Sequence, residues 1–356
     1  MYEISFVGDF RLLKKPTISE KESIKRLFLQ SSKVVANLEA PMPKNTSYLS
    51  AQKWAIISQP QWVPAELTDM GITHVGLANN HMMDYGGRGL VDTMECLKLA
   101  GIEYFGAGNN IQHALEPGRI AIGGKKITIV GVSCTSPPGS AAFDNSAGIA
   151  SIPVHTDFYV DNYFLMENPG TPPSVVTSIQ EDSTQMLMDL MKKERKETDV
   201  LVIFVHWGVP FQHKLADYQI QLAHQLVEHG ADVIVGHHTH TIQGIEVYRK
   251  KPIFYGLGHF LFTQEAKKYA LKGYRNPFPP NAGQWGPSPV NLSVHMTFSH
   301  KAIEYYFTML RSEEGEIPRV LTGRDLSTGI SQLKELSRQF DATFDASAHD
   351  RFKLCL

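Results

Sequence analysis

Apolar positions along the chain follow two alternating rhythms. Consecutive or alternate apolar residues mark strands at 2–8, 33–38 and 73–78, and again near 102–105, 119–122, 126–132, 199–205 and 231–235. Between them the spacing opens to the three- and four-residue steps of amphipathic helices, at 20–30, 61–70, 87–100, 178–196 and 217–229. In 87–100, Leu90, Met94, Leu97 and Ala100 share one helical face, which stops at Gly101. Strands regularly alternating with helices predict an α/β layered sandwich. The stretch from Cys134 to about residue 175 breaks the rhythm. It is rich in Ser, Pro, Gly and Asn and reads as a long loop or insertion, a kind of segment that often carries function. Beyond residue 240 the pattern changes again. Residues 242–248 and 252–255 predict a hairpin, 275–289 a Pro/Gly/Asn-rich connection, 290–310 two strands and 329–340 a last helix. The expected organisation is a core at 1–265 and a smaller, partly antiparallel extension at 266–356 packed on it.

Composition narrows the class. Of 356 residues, 42% are hydrophobic and 20% charged, ordinary for a soluble globular protein and unlike disordered, collagenous or coiled-coil chains. A formal net charge of -2 supplies no basic field, so nucleic acid is not an expected partner. The longest apolar run, Val200 to Val205, falls far short of the ~20 residues that span a bilayer. The start, MYEISFVGDF, lacks a basic region and a small-residue cleavage site and does not read as a signal peptide. Three cysteines without a CxxC predict neither a disulfide framework nor a thiolate metal site. These features together lead us to expect a reduced, cytoplasmic chain without a membrane span.

The unusual polar residues gather where strands end, the edge at which open α/β sheets bind ligands. Asp9 closes VGD, and Glu39 follows the second strand in NLEAP. Asn79, Asn80 and His81 follow the third in LANNHMMDYG, with Asp84 three residues on. His206 ends the VLVIFV strand, and His237, His238 and His240 form GHHTH. Each has an ordinary reading alone: Asp9 as a turn residue, Glu39 as a solvated loop acid, the asparagines as turn chemistry. GHHTH is stronger, because residues at i and i+2 in extended backbone face one side, so His238 and His240 can address one site. Convergence of five strand ends is hard to reconcile with histidines as core filler. Carboxylate, carboxamide and imidazole together suit one or two divalent ions such as Mn, Fe, Zn or Ca. Asp9 or Glu39 would bridge them in a two-metal arrangement. Gly86-Gly87-Arg88-Gly89 lacks the P-loop pattern and reads as a helix-starting loop.

The ordered series VGD, NLEAP, ANNHMMDYG, VHWG, GHHTH and FYGLGHFLF resembles the poly-γ-glutamate capsule synthesis (CapA) family of the calcineurin-like metallophosphoesterase superfamily, over residues 2 to about 262. The resemblance implies a four-layer α/β/β/α sandwich with metals between the sheet edges. It implies Asp9, Glu39 and His240 on one metal and Glu39, Asn80, His206 and His238 on the second. His81 takes the place of the imidazole that assists the leaving group, oriented by Asp84; His237 is a flanking residue.

Two positions depart from the pattern. Where the superfamily begins Asp-x-His, this chain reads Asp9-Phe10-Arg11, and Arg11 can bind a carboxylate or phosphate bidentately. Where the capsule family reads Gly-Asn-Phe, this chain reads Gly258-His259-Phe260, which adds an ionisable group near the site. Membrane-attached capsule members carry an N-terminal anchor that is not seen here. The leading expectation is metal-assisted hydrolysis of a phosphoester or, less favoured, an amide. A second is metal-dependent epimerisation at a Cα beside a carboxylate, as relatives resembling this family do on lasso-type precursor peptides. In that case His81, Asp84, His259, Asp9 and Arg11 would handle the proton and carboxylate, and Phe143, Phe158 and Tyr159 would help line a peptide groove. A third is non-catalytic handling of poly-γ-glutamate. In each of these the partner is a small molecule or peptide with an anionic group.

Overall fold

Strand alternation sets the layers. In the first strand, Tyr2–Arg11, Ile4 and Phe6 face one core while Val7 and Phe10 face another. In Val200–His206 the same parity sends Val200, Val202 and Phe204 inward to the shared core and Leu201, Ile203 and Val205 outward. Strands apolar on both faces must be covered on both, and the helices supply the outer cover. The computed structural model describes residues 2–48, 56–179, 181–263, 289–299, 302–312, 316–340, 342–347 and 350–356.

The first sheet is mixed. Tyr2–Arg11, Lys33–Leu38, His74–Gly76 and Glu103–Phe105 run parallel in that order. Val290–Phe298, Ile303–Arg311, Arg351–Leu354 and Phe344–Ala346 continue it antiparallel from the other side of Tyr2–Arg11. The strands after residue 289 therefore complete this sheet. The second sheet has a parallel centre, Lys125–Ser133, Val200–His206, Val233–His237 and Lys251–Phe254, with Gly118–Ile122 and Ile245–Tyr248 antiparallel at its edges. The two sheets face each other across a core of Ile4, Phe6, Val35, Ile129, Val202, Phe204, Val235, Val294 and Phe307.

Helices Ile18–Leu27, Val63–Asp69 and Gly86–Leu99 cover the outside of the first sheet through Ile24, Leu67, Leu90 and Leu97. Helices Glu181–Glu194 and Asp217–Glu228 cover the second through Met188, Met191, Leu222 and Leu226. The result is a four-layer α/β/β/α sandwich. Gly323–Ser337 closes one end, with Leu333 in the intersheet core and the Ser337 hydroxyl accepting from the Ile245 amide at 2.9 Å.

Two stretches differ from expectation. Residues 134–175 are not one long loop. They include Gly148–Ile149, an antiparallel ribbon of Val154–Tyr159 with Ser174–Ile179, and a short helix Asn162–Glu167 at its tip. Few of the ribbon's apolar residues are buried, so periodicity had no core face to report. The last helix starts at Gly323, before the expected 329, since its first turns pack only lightly. The Pro/Gly/Asn-rich connection at 275–289 lies, apart from Pro289, outside the described residues.

Candidate metal centre

The centre lies where the carboxyl ends of the two sheets' central strands meet. Asp9 is set by backbone. The ladder shifts register between Phe6 and Asp9 on one side and after Asp9 on the other, and such bulges re-aim a side chain. The Asp9 amide donates to the Gly258 carbonyl at 3.0 Å, and the chain before it is Gly8, whose Cβ would meet that oxygen at 1.9 Å. His259 begins the short strand His259–Phe262, parallel to the first strand, with Asp9 opposite His259. Glu39 sits just past Lys33–Leu38 and is fully buried.

The imidazoles converge on these carboxylates. His240 Nδ1 lies 3.0 Å from Asp9 Oδ2 and 2.6 Å from His259 Nε2, while its Nε2 lies 3.6 Å from Glu39 Oε1. His206 Nε2 lies 3.6 Å from Glu39 Oε1 and 3.0 Å from Asn80 Oδ1. The His206 and His238 rings are 4.6 Å apart. Thus Asp9, Glu39, Asn80, His206, His238, His240 and His259 come together. His238 and His240 converge for a different reason than extended backbone. The strand ends at His237, and both residues have positive φ, 90° and 53°, so a left-handed turn brings them round. Non-glycine residues held there cost about 1–3 kcal/mol each and persist only where the surroundings impose them. His237, still in the strand, faces inward beside Phe204 at 4.0 Å, its Nε2 3.2 Å from the Val7 carbonyl oxygen.

His81 and Asp84 form a pair of their own directly after Asn80, with His81 Nδ1 donating to Asp84 Oδ2 at 2.8 Å. Asp84 also accepts from the Ile57 amide at 2.7 Å. Arg11 is buried, and its guanidinium donates to the Thr263 carbonyl at 3.0 Å and the Ser58 carbonyl at 3.3 Å. It ties two connections together beneath the site.

Two asparagines escaped the sequence reading. Asn37 Nδ2 donates to Asp9 Oδ1 at 2.8 Å and lies 3.3 Å from His206 Nδ1, joining the two sheets' contributions. Its signal was parity, because it shares the inward face of KVVANL with Val35. Asn291 Oδ1 accepts from the His259 amide at 2.8 Å, and its Nδ2 donates to Ser312 at 2.9 Å. No local pattern marks that residue.

Electrostatics favour a cation. Burial pushes the Asp9 carboxyl upward, but the His240 hydrogen bond and the fields of His240, His206 and His237 outweigh it and hold the group well below the usual carboxylate range. Burial drives His206, His237 and His259 below the ordinary imidazole value. Two fully buried carboxylates so close together call for compensating positive charge. Two groups offer ligand atoms all within 4.8 Å of one another: Asp9, His240 and His259, and Glu39, His238 and His240. This donor set fits borderline divalent ions.

A family model for bacterial capsule synthesis proteins, PGA_cap, matches residues 6–264, which contain the whole cluster. The chain belongs to this family. The PGA biosynthesis protein CapA of Bacillus subtilis is 30% identical over 271 residues, 73% of this chain and 63% of that protein. The capsule biosynthesis protein CapA of Bacillus anthracis is 28% identical over 282 residues, 75% of this chain and 62% of that one. A solved putative 5'-nucleotidase from Staphylococcus aureus overlays with a TM-score of 0.45 at 11% identity, covering 94% of this chain and 58% of that one. The PGA_cap chain thus spans somewhat less than two thirds of the curated relatives' length. Among its described residues no helix is long and apolar enough to cross a membrane. Asn291 and Ser312, which position His259, lie beyond the stretch that matches the PGA_cap model.

Proposed function

We propose that this PGA_cap chain is a metal-dependent hydrolase of anionic substrates, phosphoesters first and amides second. The observation that carries it is the pair of carboxylate–imidazole groups that share His240 beside the His81–Asp84 pair. Asp9, His240 and His259 would hold one ion, and Glu39, Asn80, His206 and His238 a second. Bound divalent ions supply Lewis-acid polarisation of the attacked group and activation of water. His259 stands in for the superfamily histidine that Arg11 replaces: it reaches Asp9 from the neighbouring strand, whereas Arg11 serves backbone carbonyls. Asn37 fixes Asp9 and the His206 ring relative to each other. Asp84 supports the protonated His81 ring, which passes its Nε2 proton to the leaving atom.

One observation favours a second reading, peptide epimerisation. His259 adds a buried imidazole 2.6 Å from His240, more proton-handling groups than hydrolysis needs. A polyglutamate-type or other carboxylate-bearing peptide would then be the substrate.

Elemental analysis and two activity assays test these readings. Two equivalents of Mn or Zn are expected in the wild type and about one in His259→Ala or His206→Ala. Manganese-dependent release of p-nitrophenol from p-nitrophenyl phosphate, lost in His206→Ala, supports hydrolysis. Deuterium entry at a peptide Cα from heavy water without cleavage would replace it with epimerisation. Metal-free protein after reconstitution would overturn both.

A further inference from the structure

The ribbon at 154–179 stands off the body. Cross-strand register places Val154, Thr156 and Phe158 on one face with Ile179, Thr177 and Val175. At the root that face is anchored: Ile179 belongs to the outer core of the second sheet, with Val154 packed against it. The Tyr218 amide donates to the Thr177 hydroxyl at 3.4 Å. Toward the tip the same face loses its cover, and Phe158, opposite Val175, is 68% exposed. The tip helix adds Tyr163 and Met166, 75% and 82% exposed, together with Phe164. An isolated two-stranded ribbon is marginal in water, and clustered exposed apolar side chains mark an interaction surface.

Beside the root lies a cavity of about 440 Å³ lined by Ile111, Leu115, Ala142, Phe143, Ile152 and Leu187, with Asp144 at its side. Charge decides what fits. From Ile127 to Met191 the sequence has no Lys or Arg and seven carboxylates, among them Asp144, Asp157, Asp161 and Glu167. An anionic bilayer, a polyglutamate chain and a second copy of this acidic surface all meet like charge there.

We propose that this arm and the cavity at its root form a docking surface for a partner polypeptide whose aliphatic or aromatic anchors are flanked by Lys and Arg. The anchors enter the cavity and pack against Phe158 and Val175, and the cations meet Asp144 beside the cavity and Asp161 at the foot of the tip helix. The surface is separate from the metal ligands, so its test does not depend on the hydrolase reading.

The experiment uses the full metal-loaded chain with a photo-crosslinking residue at Tyr163. The probes are two synthetic peptides with the same Leu and Phe anchors, one carrying Lys and Arg between them and the other Glu. The basic peptide is expected to bind and crosslink, more weakly at high salt, and the acidic one to do neither. Phe158→Ser with Phe164→Ser and Val175→Ser should weaken binding about tenfold or more without changing metal content. Asp144→Asn with Asp161→Asn, which leaves the fold's apolar contacts alone, should weaken it severalfold by itself. Equal binding of both peptides, or binding unaffected by the double Asn variant, overturns the proposal. So does dimerisation that the serine variant abolishes, which assigns the arm to a second copy. Flotation with phosphatidylcholine vesicles that the serine variant abolishes assigns it to a bilayer and overturns the proposal equally.

Discussion

A methyl group at Gly8 would lie 1.9 Å from the Gly258 carbonyl oxygen, the atom that receives the Asp9 amide. Backbone approach therefore fixes how near Asp9 comes to His259. Gly8→Ala should cost ~3 kcal/mol or more and reduce metal content with it; a variant that melts and loads like the wild type would refute that account. Away from the centre, buried His74 is held at about 4, chiefly by burial and then by the field of Lys33. The native ring binds its proton only below about 4, the unfolded ring already near 6.5. Stability is thus full above 6.5 and falls as pH drops toward 4, by up to about 3 kcal/mol. His74→Leu should flatten that slope. Urea midpoints at neutral and mildly acid pH check it, and equal losses in both proteins would count against it. At this scale motif residues such as His206 were legible because an imidazole at the end of an apolar strand is conspicuous. Asn37 was not, since one carboxamide in KVVANL looks like any half-buried polar residue until a second sheet faces it.

Local rules carried the elements that bury a face. Thr17 and Glu20 form a capping box at the first helix: the Glu20 amide donates to the Thr17 hydroxyl at 3.3 Å, and Glu20 accepts from the Thr17 amide at 2.5 Å. Thr17→Ala should lower stability by about 1 kcal/mol without touching metal content, measured by thermal unfolding; a simultaneous loss of metal would mean the helix does more than cover the sheet. In the intersheet core, Phe204 packs edge-on to Phe105 at 5.4 Å and against His237. Phe204→Ala should cost about 3–5 kcal/mol and loosen the strand that ends in His206, seen as weaker metal retention. Elements failed to read where burial is absent or the backbone leaves the regular regions. The 154–179 ribbon exposes most of its apolar residues, and the left-handed turn at His238 and His240 has no glycine to announce it.

Across the whole molecule, two sheets bring the buried carboxylates Asp9 and Glu39 together, and on the proposed reading a bound cation would supply the compensating charge. Glu39→Gln should therefore stabilise the chelated protein while weakening the metal-loaded one, so the two melting curves cross over relative to wild type. A uniform loss in both states would show that Glu39 is held by something other than charge balance. The fold class, the strand ends bearing His, Asp, Glu and Asn, and membership of the capsule family were all decided by the order of residues. Periodicity and local chemistry act over a few neighbours, and a linear chain displays those directly. Which side chains meet was settled only by packing: His259 against His240, Asn37 between Asp9 and His206, Arg11 turned to carbonyls, Asn291 behind His259 from a strand past residue 289. Those contacts join residues tens to hundreds of positions apart, and their distances follow from bulges, a left-handed turn and the closeness of two sheets, none of which has a local signature.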